Sequence, residues 1–239
     1  MPALRLTVIL ASVLAALACN SKGTGKLGVS ARGAAGTPTV ASVDVGGGIS
    51  VDRVRVLVQK LELEGEAEAA VPMMTAASHD DGGDDDEGEA EIGPLVVDVS
   101  GPALTGKVTH VFDADVPEGV FGELEIRIAP VTGAMAGTPV ADMGASSIIV
   151  EGTLAGTPFT FATSIIAKQE LETRLVVDHA GPSANVTLVL EVKSWFTAAD
   201  GTPLDPTVDA NRAAIEANML ANLRFERDDD EDGVDDDGH

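Results

Sequence analysis

The residues with the clearest chemical order lie near the end of the chain. Asp228, Asp230 and Asp232 alternate along Asp228-Asp229-Asp230-Glu231-Asp232-Gly233-Val234-Asp235-Asp236, and Gly233 follows the third of them. This D-x-D-x-D-G order opens a calcium loop. Calcium takes roughly six to eight hard oxygens, and alternate carboxylates converge on one ion only where the backbone turns sharply. Gly233 permits that turn. The competing reading is a solvated, disordered acidic tail, because runs of like charge repel and stay extended.

The run resembles EF-hand and thrombospondin type 3 loops. That resemblance implies Asp228, Asp230 and Asp232 as side-chain ligands of calcium, the carbonyl of Val234 as a fourth, and Asp236 acting directly or through water. The twelfth position holds His239 rather than Glu, so the bidentate ligand is absent, and no second helix follows. Such a half-site implies the weak, extracellular range of affinity, about 10⁻⁴ to 10⁻³ M.

A second chemical signal is the single cysteine, Cys19. It follows a short leader with a secretory pattern: Arg5, an apolar stretch from Leu6 to Leu17, and the small-residue exit Ala16-Leu17-Ala18. Ala15-Ala16-Leu17-Ala18-Cys19 resembles a bacterial lipobox, which implies diacylglycerol on the Cys19 sulfur and cleavage just before it. Ala16-Leu17-Ala18 also fits ordinary signal peptidase, which would release a soluble protein. A lone exported cysteine would then be an exposed reactive thiol, and acylation removes that problem. The leader is too short to span a bilayer, which takes about 20 apolar residues. Asn20 stands where an inner-membrane retention signal would be Asp, which points to the outer membrane.

The formal charge of -24 is concentrated. Asp80 to Glu91 holds eight acids and Glu226 to His239 holds nine. So acidic a chain is a poor partner for nucleic acid, whose phosphates want Lys and Arg. It is equally poorly suited to electrostatic attachment to anionic lipid, leaving the acyl chain as the membrane partner.

These signals need a scaffold. The chain divides into a signal peptide at 1–18, the lipidated cysteine with a flexible Gly/Ser/Ala/Thr-rich tether at 19–39, a β-sandwich at 40–200, a C-terminal amphipathic helix at 205–225 and an acidic tail at 226–239. Within the sandwich, the acidic segment 79–91 reads as a long disordered loop. Period-2 alternation marks the strands: Leu124, Ile126 and Ile128 against Glu123, Glu125 and Arg127; Phe159, Phe161, Thr163 and Ile165; Leu171, Leu175 and Val177; Val186, Leu188, Leu190 and Val192 with Glu191 and Lys193 opposite. Val54, Val56 and Val58 share one phase, whereas Leu61 and Leu63 share the other. The switch predicts a β-bulge near Gln59-Lys60. Turns are predicted at Pro117-Glu118-Gly119, Ala155-Gly156 and Gly181-Pro182. About eight strands at this spacing predict an all-β, mainly antiparallel sandwich. The predicted helix starts near Pro206 with Asp205 as cap, and stacks Ile215, Met219 and Leu223 on one face.

The order of strand motifs resembles the bacterial lipoproteins grouped as domain of unknown function 4382. The resemblance rests on Val51-Asp52-Arg53-Val54-Arg55-Val56, Leu61-Glu62-Leu63, the acidic loop, Gly93-Pro94-Leu95-Val96-Val97-Asp98-Val99, and Val116-Pro117-Glu118-Gly119-Val120-Phe121 turning into Leu124-Glu125-Ile126. It covers roughly residues 40–196. It implies a transthyretin-like or immunoglobulin-like sandwich and brings no catalytic residues.

Other motifs carry little. Gly101-Pro102-Ala103-Leu104-Thr105-Gly106-Lys107 mimics a P-loop, but Val108 replaces the required Ser/Thr and a strand pattern follows. His110 reads as a satisfied or edge histidine, and His79 and His179 show no metal spacing. Trp195 and Phe196 read as the end of a strand, and as core or rim rather than a sugar platform. No nucleophile elbow and no second cysteine are present. The expectation is a non-catalytic envelope lipoprotein with a binding or structural role, calcium as its cofactor, and an envelope protein or glycan as partner. The alternative is a periplasmic or surface hydrolase whose site is assembled from residues distant in sequence.

Overall fold

The structure is a computed structural model that describes residues 24–33, 37–38, 42–65, 89–133, 138–179, 184–232 and 235–236. The leader, Cys19, His79, the acidic tract up to residue 88, the Gly181-Pro182 turn, Gly233, Val234 and His239 lie outside these residues. The fold is all-β: two mainly antiparallel sheets packed as a sandwich, with few helices.

The larger sheet is organised by one long strand, β4 (Ile49–Glu64). Its inward residues are Ile49 and Val51, then Val54, Val56 and Val58, then Leu61 and Leu63, all essentially inaccessible to solvent. That set changes phase twice, and register shifts stand at both places, between Val51 and Arg53 and between Val58 and Lys60. The second is the bulge expected at Gln59-Lys60. An extra residue there bends the strand and keeps apolar side chains inward on both halves.

To number the remaining strands in chain order, β1 is Thr24–Gly33, β2 Thr37–Pro38, β3 Val43–Gly46, β5 Glu89–Ile92, β6 Leu95–Ser100, β7 Thr109–Pro117 and β8 Gly119–Ile128. The series continues with β9 (Ile148–Leu154), β10 (Thr157–Thr163), β11 (Ala167–Val177), β12 (Ala184–Leu190) and β13 (Leu223–Arg227). The first half of β4 lies between β9 and β6, and the second half between β8 and β5. The β9–β10 hairpin turns at Ala155-Gly156, with φ of 48° and 83°. Positive φ at both central residues is the geometry that suits strand twist in a two-residue turn. Pro117-Glu118-Gly119 carries the chain from β7 in the smaller sheet to β8 in the larger.

The smaller sheet has the order β13-β12-β1-β7, antiparallel except for the parallel pair β1–β12. Its central strand β1 corrects the tether expected over 19–39. Leu27, Val29 and Ala31 are fully buried in the core. The small residues that resemble a linker are small because neighbours approach closely. A Cβ at Gly25 would stand 2.4 Å from Val177 Cγ1, and one at Gly33 would stand 2.2 Å from the Leu104 carbonyl oxygen.

Three short helices complete the described fold: α1 (Pro139–Asp142), α2 (Val192–Trp195) and α3 (Arg212–Ala221). The helix expected over 205–225 is corrected at both ends. Asp205 does not cap it; its Oδ1 accepts a hydrogen bond from the Thr207 N–H at 2.7 Å. A 3-10 turn at Asp209–Asn211 precedes α3. Ile215 and Met219 are buried as the stripe requires, but Leu223 begins β13. Leu223 and Phe225 alternate with Arg224 and Glu226, a period of two that the helical spacing concealed. Trp195 and Phe196 are core residues, but they do not end a strand: β12 stops at Leu190, and Val192 to Trp195 turn inward as α2. Phe196 meets Phe159 and Phe161 edge-on, each at 6.3 Å between centroids. The acidic loop expected over 79–91 ends earlier than expected, because Glu89 to Ile92 pair with β4.

Candidate metal centre

The acidic tail expected from residue 226 is a folded continuation of the smaller sheet. Glu226 and Arg227 belong to β13, with Arg227 opposite Val186 on β12. The Asp228 N–H then donates to the Asn185 carbonyl at 3.1 Å. At this point β12 and β1 present polar or small residues on the outer face: Asn185 and Thr187 beside Gly28 and Ser30. The sequence repeats polar at every second position there, and those residues form a floor for Asp228.

Asp228 is only 1% exposed. A buried carboxylate needs donors, and Thr187 Oγ1 donates to its Oδ2 at 2.9 Å. The floor is itself linked. Asn185 Nδ2 donates to the Asp228 carbonyl at 2.9 Å and to Thr187 Oγ1 at 3.2 Å, and Ser30 Oγ donates to Asn185 Oδ1 at 3.2 Å. Asp229 turns the other way, accepting from the Asn185 N–H at 3.2 Å and from Arg227 Nε at 2.9 Å.

The chain then loops back. The Glu231 N–H donates to the Asp228 carbonyl at 3.2 Å, with Glu231 itself in the left-handed region at φ 57°. The Asp236 N–H returns to the Arg227 carbonyl at 3.0 Å, and Asp236 Oδ2 accepts from the Asp229 N–H at 2.6 Å. Glu231 also reaches His110, whose Nδ1 lies 3.2 Å from Oε1, while His110 Nε2 lies 3.2 Å from Asp113. His110, on the edge strand β7, thus ties the loop to the sheet.

This closure brings Asp228, Asp230 and Asp236 together, with one oxygen from each within 4.8 Å of the others. Two oxygens bound to one calcium at 2.3–2.6 Å can stand up to about 5.2 Å apart. The donor set is all carboxylate, the hard oxygen that calcium prefers. Of the expected ligands, Asp228, Asp230 and Asp236 converge and Asp232 does not join them. The Asp232 N–H instead donates to Asp230 Oδ1 at 3.2 Å. Val234 lies outside the described residues. The supporting residues Ser30, Asn185 and Thr187 carry no metal-ligand motif; the sequence trace of their role is polarity on one phase of two buried strands.

A second array of carboxylates covers the outer face of the other sheet, and cross-strand register creates it. Glu89, Glu64, Glu123 and Glu172 form one transverse rung over β5, β4, β8 and β11, and Glu91, Glu62, Glu125 and Glu170 form the next. Lys60, Arg127 and Lys168 form the adjoining basic rung. Lys168 Nζ lies 2.6 Å from Glu170 and 2.9 Å from Glu125, and Lys60 Nζ lies 2.6 Å from Glu62. The hydrogen bond with Glu89 and the one from Lys60 hold the Glu62 carboxyl below its ordinary range. Glu123, further from the lysines, is pushed upward by desolvation and by Glu64, Glu170 and Glu172.

No family model matches this chain, and no curated protein or solved structure matches it either.

Proposed function

We propose that the chain is a non-catalytic lipoprotein of the bacterial cell envelope, anchored through acylated Cys19 and stabilised by calcium in its C-terminal loop. The location rests on the leader and the lipobox-like Ala15-Ala16-Leu17-Ala18-Cys19, and Asn20 favours the outer membrane. The calcium reading is carried by one observation: the carboxylates of Asp228, Asp230 and Asp236 converge, with Asp228 buried and pinned by Thr187. Three like charges at that range repel, and a divalent ion turns the repulsion into attraction. The ion would join the chain end to β12 and β1, so its role is structural. The sandwich it completes serves as a binding or scaffolding surface for an envelope protein or glycan.

Calorimetric titration of the protein lacking its leader and Cys19, at physiological salt, tests this reading. Calcium gives saturable heat, magnesium gives little, and changing Asp228, Asp230 and Asp236 together to Asn removes the heat. The same saturable heat in that triple variant refutes the site.

A further inference from the structure

The position of β1 fixes how far the sandwich can stand from its anchor. Four residues separate Cys19 from Thr24, the first residue of β1. Five Cα–Cα steps span at most about 18 Å. A tether running to residue 39 would have reached about 70 Å by the same arithmetic. Nor is Thr24 a loose beginning. It pairs with Pro117 on β7, its carbonyl accepts from His179 Nδ1 at 3.3 Å, and the adjacent Gly25 packs on Val177.

One end of the sandwich is therefore tied closely to Cys19. It comprises Thr24, the corner at Pro117-Glu118-Gly119, and the end of β11 at Val176-Val177-Asp178 with His179. From there β1 and β12 run parallel, and the ten residues of β1 rise about 30 Å to the opposite end, where Gly33 stands beside Leu190. From Leu190 at that opposite end the chain passes through α2 into the turn that carries Ala199.

We propose that the end formed by Thr24, Pro117–Gly119 and Val176–His179 faces the bilayer and rests against the lipid headgroups. The proposal depends on the reading of Cys19 as an acyl anchor. Of the four large apolar residues exposed among those described, Val176 alone is at this end; Ile166 lies at the other end of β11, and Val208 and Leu220 lie near α3. A single valine does not drive insertion, so the contact is with headgroups and not with the hydrocarbon. Glu118 and Asp178 line a shallow cleft there, with Lys26 and Asp115 paired beside it. This mixed rim, richer in acid than in base, favours zwitterionic over anionic headgroups. The same orientation leaves the carboxylate loop beside the middle of β1, because Asp228 bonds Asn185, opposite Gly28, and Glu231 meets His110, opposite Ser30.

The test uses the full-length acylated protein in phosphatidylethanolamine–phosphatidylglycerol vesicles that carry gadolinium on a fraction of the headgroups. Nitroxide is attached to Asp178→Cys or to Ala199→Cys, and its relaxation is measured. Relaxation enhancement is expected to be several-fold greater at position 178 than at 199. A long Gly/Ser spacer inserted between Gly23 and Thr24 should abolish the difference. Equal enhancement at the two positions without the spacer, or a larger one at 199, overturns the orientation. Mass spectrometry of the Cys19 peptide from the same preparation separates the two levels of failure. An acylated peptide with equal enhancement refutes the orientation alone; an unmodified Cys19 refutes the anchor and the orientation together.

Discussion

Replacing Leu27 by Ala separates a strand from a tether. Leu27 is completely buried on β1, between Ala184 on β12 and Ala114 on β7. The substitution removes three carbons, about 2.4 kcal/mol of transfer free energy at roughly 0.8 per methylene. The cavity left between two paired strands cannot collapse fully, which brings the cost to roughly 3–5 kcal/mol. For a domain of this size each kcal/mol shifts the midpoint by about 2–4 °C, so thermal unfolding should fall by about 6–20 °C. The neighbouring Lys26 is half exposed on the opposite face, and Lys26→Ala should unfold close to wild type. Circular dichroism melts and urea titrations of both variants read the contrast directly. Equal, negligible effects at the two positions would refute β1 as a core strand and restore a flexible 24–33 segment.

The remaining predictions concern the carboxylates. Glu123 has a raised folded-state pKa, so its contribution to stability falls as pH rises through that value, and Glu123→Gln should raise the unfolding midpoint at pH 7. Glu62 has a depressed one, so its contribution is present at neutral pH and is lost as pH falls through it; Glu62→Gln should lower the midpoint at pH 7. Both differences should vanish in strong acid, and a shift of the same sign in both variants at pH 7 would contradict the rung geometry. Thr187→Val should cost about 1–3 kcal/mol by taking a donor from buried Asp228, measured by urea unfolding without calcium. An unchanged midpoint would mean that Asp228 is not held there.

Much of the scaffold is legible in the sequence, because a strand with one buried face leaves a period of two. The bulge in β4 is readable from the phase change between Val58 and Leu61 alone. The earlier shift at Asp52 is not, since Val51 and Val54 are too few residues to establish two phases. β1 escaped because composition and structure conflict: Gly25, Gly28 and Gly33 resemble a linker, yet at least Gly25 and Gly33 are glycine because another chain segment touches them. β13 was hidden by the coincidence that Leu223 extends the Ile215–Met219 helical stripe. The candidate metal centre is half legible. The D-x-D-x-D-G order points to Asp228, Asp230 and Asp232, of which the first two converge, and Asp236 comes from the loop resemblance; the residues that bury Asp228 lie 41 to 198 positions away and only the sheet register brings them there. The glutamate rungs are likewise products of register: each glutamate reads as an ordinary outward residue on its own strand.

Calcium is proposed to complete the carboxylate cluster of Asp228, Asp230 and Asp236. Thermal unfolding of the protein lacking its leader and Cys19, with and without 10 mM calcium (roughly ten to a hundred times the expected dissociation constant), tests it most directly. Linkage then gives about 1.4–2.7 kcal/mol of added stability, or a rise of roughly 3–11 °C. That rise is the expected result, with a much smaller one in magnesium and none in Asp228→Asn. An identical midpoint with and without calcium would contradict it.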